Sequence, residues 1–371
     1  MAKIREKSWL TVILVIGFLV RSMICFFSRL PNMHHDSWEY YDQATALLSG
    51  SYTNYFPNGY PLIIAISRVI AGTHYQTFLL WTNIALSTLC IGFVYDIGKR
   101  VFNSPVTGLL AATILAILPS QINYVRWLTT EVPTAFFLLG AYFYYYRAQH
   151  FRSGIFFALA IFVRTNIAPI PLLLLAILAI REKRIPWRLA IGSALPLLAV
   201  CTYCYWKTGE FTIAGNNQIN IVYSITAKGG YVDFQYNEKH PELDTSPKAI
   251  NAYLDHMKED PAEFISQKCA NCWELWGFYP STVRGTRGTA SRLLIGMGNF
   301  FMVVFGLAGW WFNRRLLAAR LLMLPFITVT LIHTILFALT RYTYPVEPFM
   351  VLLASNATIK IKEKWAVRTT P

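Results

Sequence analysis

The sequence predicts an all-α polytopic membrane protein, a bundle of about ten transmembrane helices with an outer lid. Three observations carry that expectation. Of the 371 residues 55% are hydrophobic and 14% charged, far too few charges for a soluble domain of this size. Apolar runs recur along the chain near the ~20-residue length that spans a bilayer core. Lys and Arg gather in the short segments between alternate runs.

In chain order the predicted spans are roughly 9–27, 77–98, 105–118, 131–147, 153–165, 167–180, 188–206, 292–312, 320–340 and 342–358. The first, Trp9 to Phe27, is too long for a signal-peptide core and carries Arg21, so it reads as a retained span. Several others are short for a full crossing and require tilt, thinned lipid or burial by neighbours. Two outer segments exceed simple turns. The first, 28–76, ends in an apolar piece, Leu62 to Ala71, too short to span and suited to the interface. The second, about 207–290, is polar and aromatic, with a helix-like stretch from Pro247 through Trp276 and no dense apolar core. It is expected to fold over the membrane part. The division is therefore a transmembrane module, 1–206, with a catalytic first outer loop, 28–76; an extracytoplasmic lid, 207–290; and C-terminal helices with a basic tail, 291–371.

The net charge of +14 invites a nucleic-acid partner until its location is examined. With ten crossings, Lys3, Arg5, Lys7, Lys99, Arg100, Arg147, Arg152, Arg181, Lys183, Arg184, Arg188, Arg314, Arg315, Arg320, Lys360, Lys362, Lys364 and Arg368 share one face. Against these eighteen stand four acids, Glu6, Asp96, Glu182 and Glu363, leaving +14; elsewhere fifteen basics and fifteen acids cancel. The positive-inside rule accounts for the excess, sets both termini in the cytoplasm and requires no nucleic acid.

Acid chemistry concentrates at the opposite surface. His34-His35-Asp36-Ser37-Trp38-Glu39-Tyr40-Tyr41-Asp42 places three carboxylates within seven positions just after the first span, and Gly59-Tyr60-Pro61 follows. If 37–48 is helical, Asp36, Tyr40 and Gln43 share one side. Asp36 followed by Glu39 also has the form of a capping box, in which both carboxylates only satisfy free amides. Arg126, Arg164 and Arg341 fall at outer ends of spans, with Glu131 and Glu347 nearby. Each arginine alone could snorkel or pair structurally. Three converging on the side of Asp36 make an anion site, because guanidinium forks suit phosphate oxygens.

The order His-Asp-Ser-x-x-Tyr, Gly-Tyr-Pro, Thr-Glu-x-Pro opening a span, an Arg in the following outer turn, and Arg-Tyr-x-x-Pro-x-x-Pro near the end resembles the GT-C membrane glycosyltransferases. It is most similar to family 39 and its bacterial relatives, the protein O-mannosyltransferase and aminoarabinose transferase branch, over roughly 1–206 and 290–357. The resemblance implies transfer of a sugar from a polyprenyl-phosphate carrier to an acceptor hydroxyl on the extracytoplasmic face, with inversion. Asp36 takes the place of the catalytic base, Arg341 and Tyr342 that of the late Arg-Tyr at the carrier phosphate, Glu131 the Thr-Glu position, and Arg164 a further phosphate position. His35, Glu39, Tyr40, Tyr60 and Arg126 complete the expected substrate-binding set. Ser37 stands where the mannosyltransferase branch has a second acidic residue, which leaves the acceptor open: lipid, glycan or protein. The implied setting is a bacterial inner membrane, among membrane lipids.

His34, His35, Asp36 and Glu131 are ligand types suited to a divalent cation, although adjacent histidines diverge in most backbones. Cys201-x-x-Cys204 and Cys269-x-x-Cys272 read as a zinc site, as disulfides on the oxidising side, or as small hydrophobes. Trp273, Trp276, Phe278 and Tyr279 either stack on a sugar or anchor the lid. The sequon Asn356-Ala357-Thr358 lies in an apolar run and reads as chance. The short, Pro-interrupted spans also permit a flippase of lipid-linked saccharide, and similar arginines an O-antigen ligase or polymerase; no internal repeat supports transport by paired halves.

Overall fold

The structure, a computed structural model, describes residues 2–27, 35–278 and 289–369. It is helical, with no strand among the described residues. Ten helices correspond to the predicted spans: α1 (Ala2–Phe27), α4 (Tyr75–Val101), α5 (Pro105–Ile117), α7 (Glu131–Tyr145), α8 (His150–Val163), α9 (Pro169–Glu182), α10 (Trp187–Thr208), α15 (Thr289–Phe312), α17 (Met323–Ile335) and α18 (Glu347–Thr369). Between them lie α2 (His35–Leu48), α3 (Gly59–Ala71), α6 (Pro119–Asn123), α11 (Asn217–Thr226), α12 (Tyr236–Lys239), α13 (Ser246–Glu259), α14 (Pro261–Leu275) and α16 (Leu317–Leu321).

The expectation of ten spans needs correction by length. Among the described residues six segments are long and apolar enough to cross a membrane, or seven if α5 and the piece Pro119–Arg126, bent by 53°, form one span. The shorter α7 and α8 are enclosed by neighbours: Leu138, Leu139, Ala141, Phe157, Ala158 and Ala160 are fully buried. A helix sheathed by protein needs no lipid-length apolar face. The interfacial piece is also longer than expected, because α3 runs through the turn Gly72–His74 into α4 as one apolar stretch, Gly59–Val101.

Arg21 explains the break after α5. Pro119 has no amide hydrogen to give, so carbonyls at the end of α5 lose their partners. Arg21, 0% exposed, donates Nη1 to Ala116 O at 3.0 Å and Nη2 to Leu115 O at 3.2 Å, with Nε on Ser87 Oγ at 2.8 Å. A buried cation thus serves as the cap of a broken helix.

Basic and acidic groups separate along the bundle. At one end Glu6 holds Lys99, Asp96 holds Arg100 and Arg147, and Lys360 meets Asn313. The helices run alternately from there to the end that carries Asp36, Glu131, Arg164 and Arg341. At that end residues 209–278 join the bundle. Gly215 N donates to Asn54 O at 2.6 Å and Asn54 Nδ2 to Glu210 at 2.7 Å, fixing the segment to the loop after α2. Trp276 packs on Phe326 of α17 with ring centroids 4.6 Å apart, and Tyr253 OH donates to Ile335 O at 2.7 Å. Contrary to the expectation of no core, Val222, Ile225, Leu243 and Ala249 form a small one.

Candidate functional site

Each part of the site is set by local chain chemistry. On α2, Asp36, Tyr40 and Gln43 share a face, as a helical period requires. Gln43, buried, donates Nε2 to Phe56 O at 2.8 Å and to Asn58 Oδ1 at 2.7 Å, so it shapes the loop that leads to α3. Gly59 opens α3 where any Cβ would stand 2.5 Å from Phe162 O of α8. Only glycine permits that approach, and Pro61 is tolerated because the first turn leaves its amide unneeded. Tyr60 is thereby driven under Tyr40, ring centroids 5.3 Å apart and edge to face.

Arg341 and Tyr342 sit in the 3-10 turn Thr340–Thr343, between α17 and α18. Glu347, in the first turn of α18, holds that turn: it accepts from Thr343 Oγ1 at 3.2 Å, Ser120 Oγ at 2.6 Å and Gln121 Nε2 at 2.9 Å. The helix N-terminus also favours its charge. The sequence pattern offers Glu347 as a partner for arginine. Its described partners are neutral instead.

Arg341 Nη2 donates to Asp36 Oδ2 at 2.6 Å, and its Nε lies 3.8 Å from Glu131 Oε1. Arg164 Nη1 reaches the same Glu131 oxygen at 3.3 Å. Two guanidiniums therefore alternate with two carboxylates. Both cations lie over the Tyr342 ring, Arg164 at 4.6 Å and Arg341 at 5.5 Å from its centroid. Exposure falls inward, from 27% for the Asp36 side chain through 16% for Arg341 to 2% for Glu131. Burial, then Asp36 and Glu131, push the Tyr40 hydroxyl above its usual range, so it stays a neutral phenol.

His333 was not legible as a site residue in an apolar run. Its ring stacks on Tyr342 at 4.3 Å; Nδ1 donates to Phe337 O at 3.1 Å, so Nε2 accepts from Asn166 Nδ2 at 2.7 Å. Those partners fix a neutral tautomer. His333 and Asn166 thus brace Tyr342 from the side opposite the cations.

The remaining predicted residues fall elsewhere or partly so. Where three arginines were expected to converge, Glu131 gathers Arg164 and Arg341. Arg126 lies half-buried in the turn Tyr124–Arg126. Glu39 is exposed on α2. His35 opens α2, but its side chain, like His34 and Tyr279, lies outside the described residues. Trp276 is 3% exposed and packs the end of α14 onto Phe326 of α17, while Trp273 is exposed against Phe278. Cys201, Cys204, Cys269 and Cys272 are all free thiols.

Comparison with known proteins agrees with this architecture. The family model described as dolichyl-phosphate-mannose-protein mannosyltransferase matches residues 57–206. Among curated protein sequences, none matches. The archaeal oligosaccharyltransferase AglB from Archaeoglobus fulgidus, solved with an inhibitory peptide and a dolichol-phosphate, is similar with a TM-score of 0.57 at 14% identity over 99% of this chain and 51% of that one. ArnT from Cupriavidus metallidurans, bound to undecaprenyl phosphate, gives a TM-score of 0.58 at 16% identity over 99% of this chain and 62% of that one. An Archaeoglobus fulgidus oligosaccharyltransferase in complex with Zn and sulfate gives 0.54 at 15% over 97% and 50%. The chain spans about half the length of the oligosaccharyltransferases it matches. The fold is the GT-C fold expected from the motifs, in an integral membrane protein.

Of the four candidate metal ligands, His34 and the His35 side chain lie outside the described residues, and the Arg341 guanidinium stands between the other two, Asp36 and Glu131.

Proposed function

We propose that this protein is a glycosyltransferase that moves a sugar from a polyprenyl-phosphate carrier to an acceptor hydroxyl on the extracytoplasmic face of the membrane. The observation that supports it best is the Asp36–Arg341 bridge at 2.6 Å, with Arg164 and Glu131 beneath it, at the bundle end opposite the basic clusters. Positive-inside orientation sets that end outside. In a bacterium this is the periplasmic side of the inner membrane.

The bridge implies an order of events. While Asp36 holds Arg341, its Oδ2 is engaged and is a poor base. A carrier phosphate offers Arg341 more oxygens in fork geometry and displaces the carboxylate. Freed Asp36 then takes the proton of the acceptor hydroxyl as the acceptor oxygen bonds to the anomeric carbon. The bond from that carbon to phosphate oxygen breaks, and the electron pair leaves with the polyprenyl phosphate. Charge grows on the leaving oxygen, so fixed guanidiniums favour the transition state over the ground state. One base is enough for inversion.

Transfer from a polyprenyl-phosphate hexose by the purified protein in detergent tests the reading. A glycosylated product without a sealed bilayer supports it. Movement of intact lipid-linked sugar across sealed vesicles, with no product in detergent, contradicts it.

A further inference from the structure

We propose that Tyr60 and Glu131 form a subsite that reads a hydroxyl group of the donor's sugar, closed in the free protein by the Asp36–Arg341 bridge. The inference rests on the transferase reading above.

Three buried polar atoms beneath the bridge have no hydrogen-bond partner: Tyr60 OH, Glu131 Oε2 and Arg341 Nε. Tyr60 is 0% exposed and Glu131 1%. An orphaned buried polar atom is unfavourable. Fourteen occur among the described residues, and these three belong to side chains that lie together: Arg341 Nε is 3.8 Å from Glu131 Oε1, and Tyr60 is within electrostatic reach of Glu131. Glu131 makes the point sharply, since its Oε1 serves both guanidiniums while Oε2 serves neither.

The chemistry of the three atoms selects the ligand. A carboxylate oxygen only accepts, a guanidinium N–H only donates, and a phenol does either. A phosphate oxygen, which accepts, is repelled by Glu131 Oε2, and an isoprenoid chain leaves all three orphaned. A sugar hydroxyl donates to Glu131 while accepting from Tyr60 or Arg341, and so fits the set. The Tyr40 and Tyr60 rings pack edge to face 5.3 Å apart, which fixes the direction of the Tyr60 hydroxyl. The set lies directly inward of the group proposed to hold the phosphate, and the sugar is bonded to that phosphate.

The test compares binding of polyprenyl phosphate with binding of polyprenyl phosphates carrying glucose, mannose, galactose or arabinose, to the full-length protein in detergent. The wild-type chain is expected to favour at least one sugar-bearing lipid about tenfold, the scale of one good hydrogen bond to a charged group. Tyr60→Phe removes that preference, leaves polyprenyl phosphate binding unchanged, and leaves the melting temperature of the free protein equal or higher, because an unpartnered hydroxyl is lost. An undiminished preference in Tyr60→Phe, no preference in the wild type, or a fall in melting temperature with equal loss for both lipids overturns the subsite. Tyr60-dependent preference in a protein that transfers nothing keeps the subsite and removes the transferase reading. Transfer without such preference does the reverse.

Discussion

At the residue scale, the account turns on what a guanidinium does that an ammonium does not. Arg341 presents one nitrogen to Asp36 and another toward Glu131, an arrangement a point charge on a flexible stem cannot copy. Arg341→Lys is expected to lower kcat/KM for the lipid donor by about 10²–10³, the loss typical for a displaced electrostatic donor. Steady-state kinetics over donor concentration check it; a loss below threefold contradicts the role of the fork. Donor-first binding is expected as well, so acceptor affinity measured alone should be weak and should rise once polyprenyl phosphate is bound. Asp36, Arg341 and Tyr342 were legible because charges are rare in this chain and fall at span ends. His333 and Asn166 were not, since a lone polar residue in an apolar run carries no sign of the ring it braces.

At the element scale, breaks in helices do much of the positioning. The end of α5 depends on Arg21. Arg21→Leu leaves two carbonyls uncapped and is expected to cost about 2–6 kcal/mol, at 1–3 for each buried group, read as a lower melting temperature in detergent. The turn Thr340–Thr343 depends on Glu347, and Gly59 on contact with α8. Gly59→Ala should cost about 1–3 kcal/mol through overpacking and reduce transfer by shifting Tyr60. Burial of Lys268 in α14 pushes its ammonium down to about 8 from 10.5. Between those values the unfolded chain binds more protons, so stability rises with pH across that window and is flat below it. Thermal unfolding from pH 7 to 10.5 should show the rise, and Lys268→Met should flatten it. Gly-Tyr-Pro and the Pro-rich end were visible in sequence as punctuation. Which backbone each would meet depends on tertiary packing, which periodicity does not encode.

At the scale of the whole molecule, segregation of charge was the most legible feature. Basic clusters predicted to share a face meet one another through Glu6, Asp96 and Asn313, and the acid-rich segment lies at the far end. The helices themselves were legible from apolar runs, whereas their lengths were not: six or seven segments among the described residues are long and apolar enough to cross, and α7 and α8 are shielded by other helices rather than by lipid. The attachment of residues 209–278 to Asn54, Thr330 and Ile335 was beyond any sequence signal. It joins long-range partners across a polar stretch with weak patterning.

The most direct test of the central claim is a single-turnover assay in detergent, with polyprenyl-phosphate hexose bound before acceptor is added. The account predicts rapid product from the wild-type chain, and from Asp36→Asn a rate lower by about 10²–10⁴, the usual share of a general base, with donor affinity retained. Wild-type turnover in Asp36→Asn would contradict it.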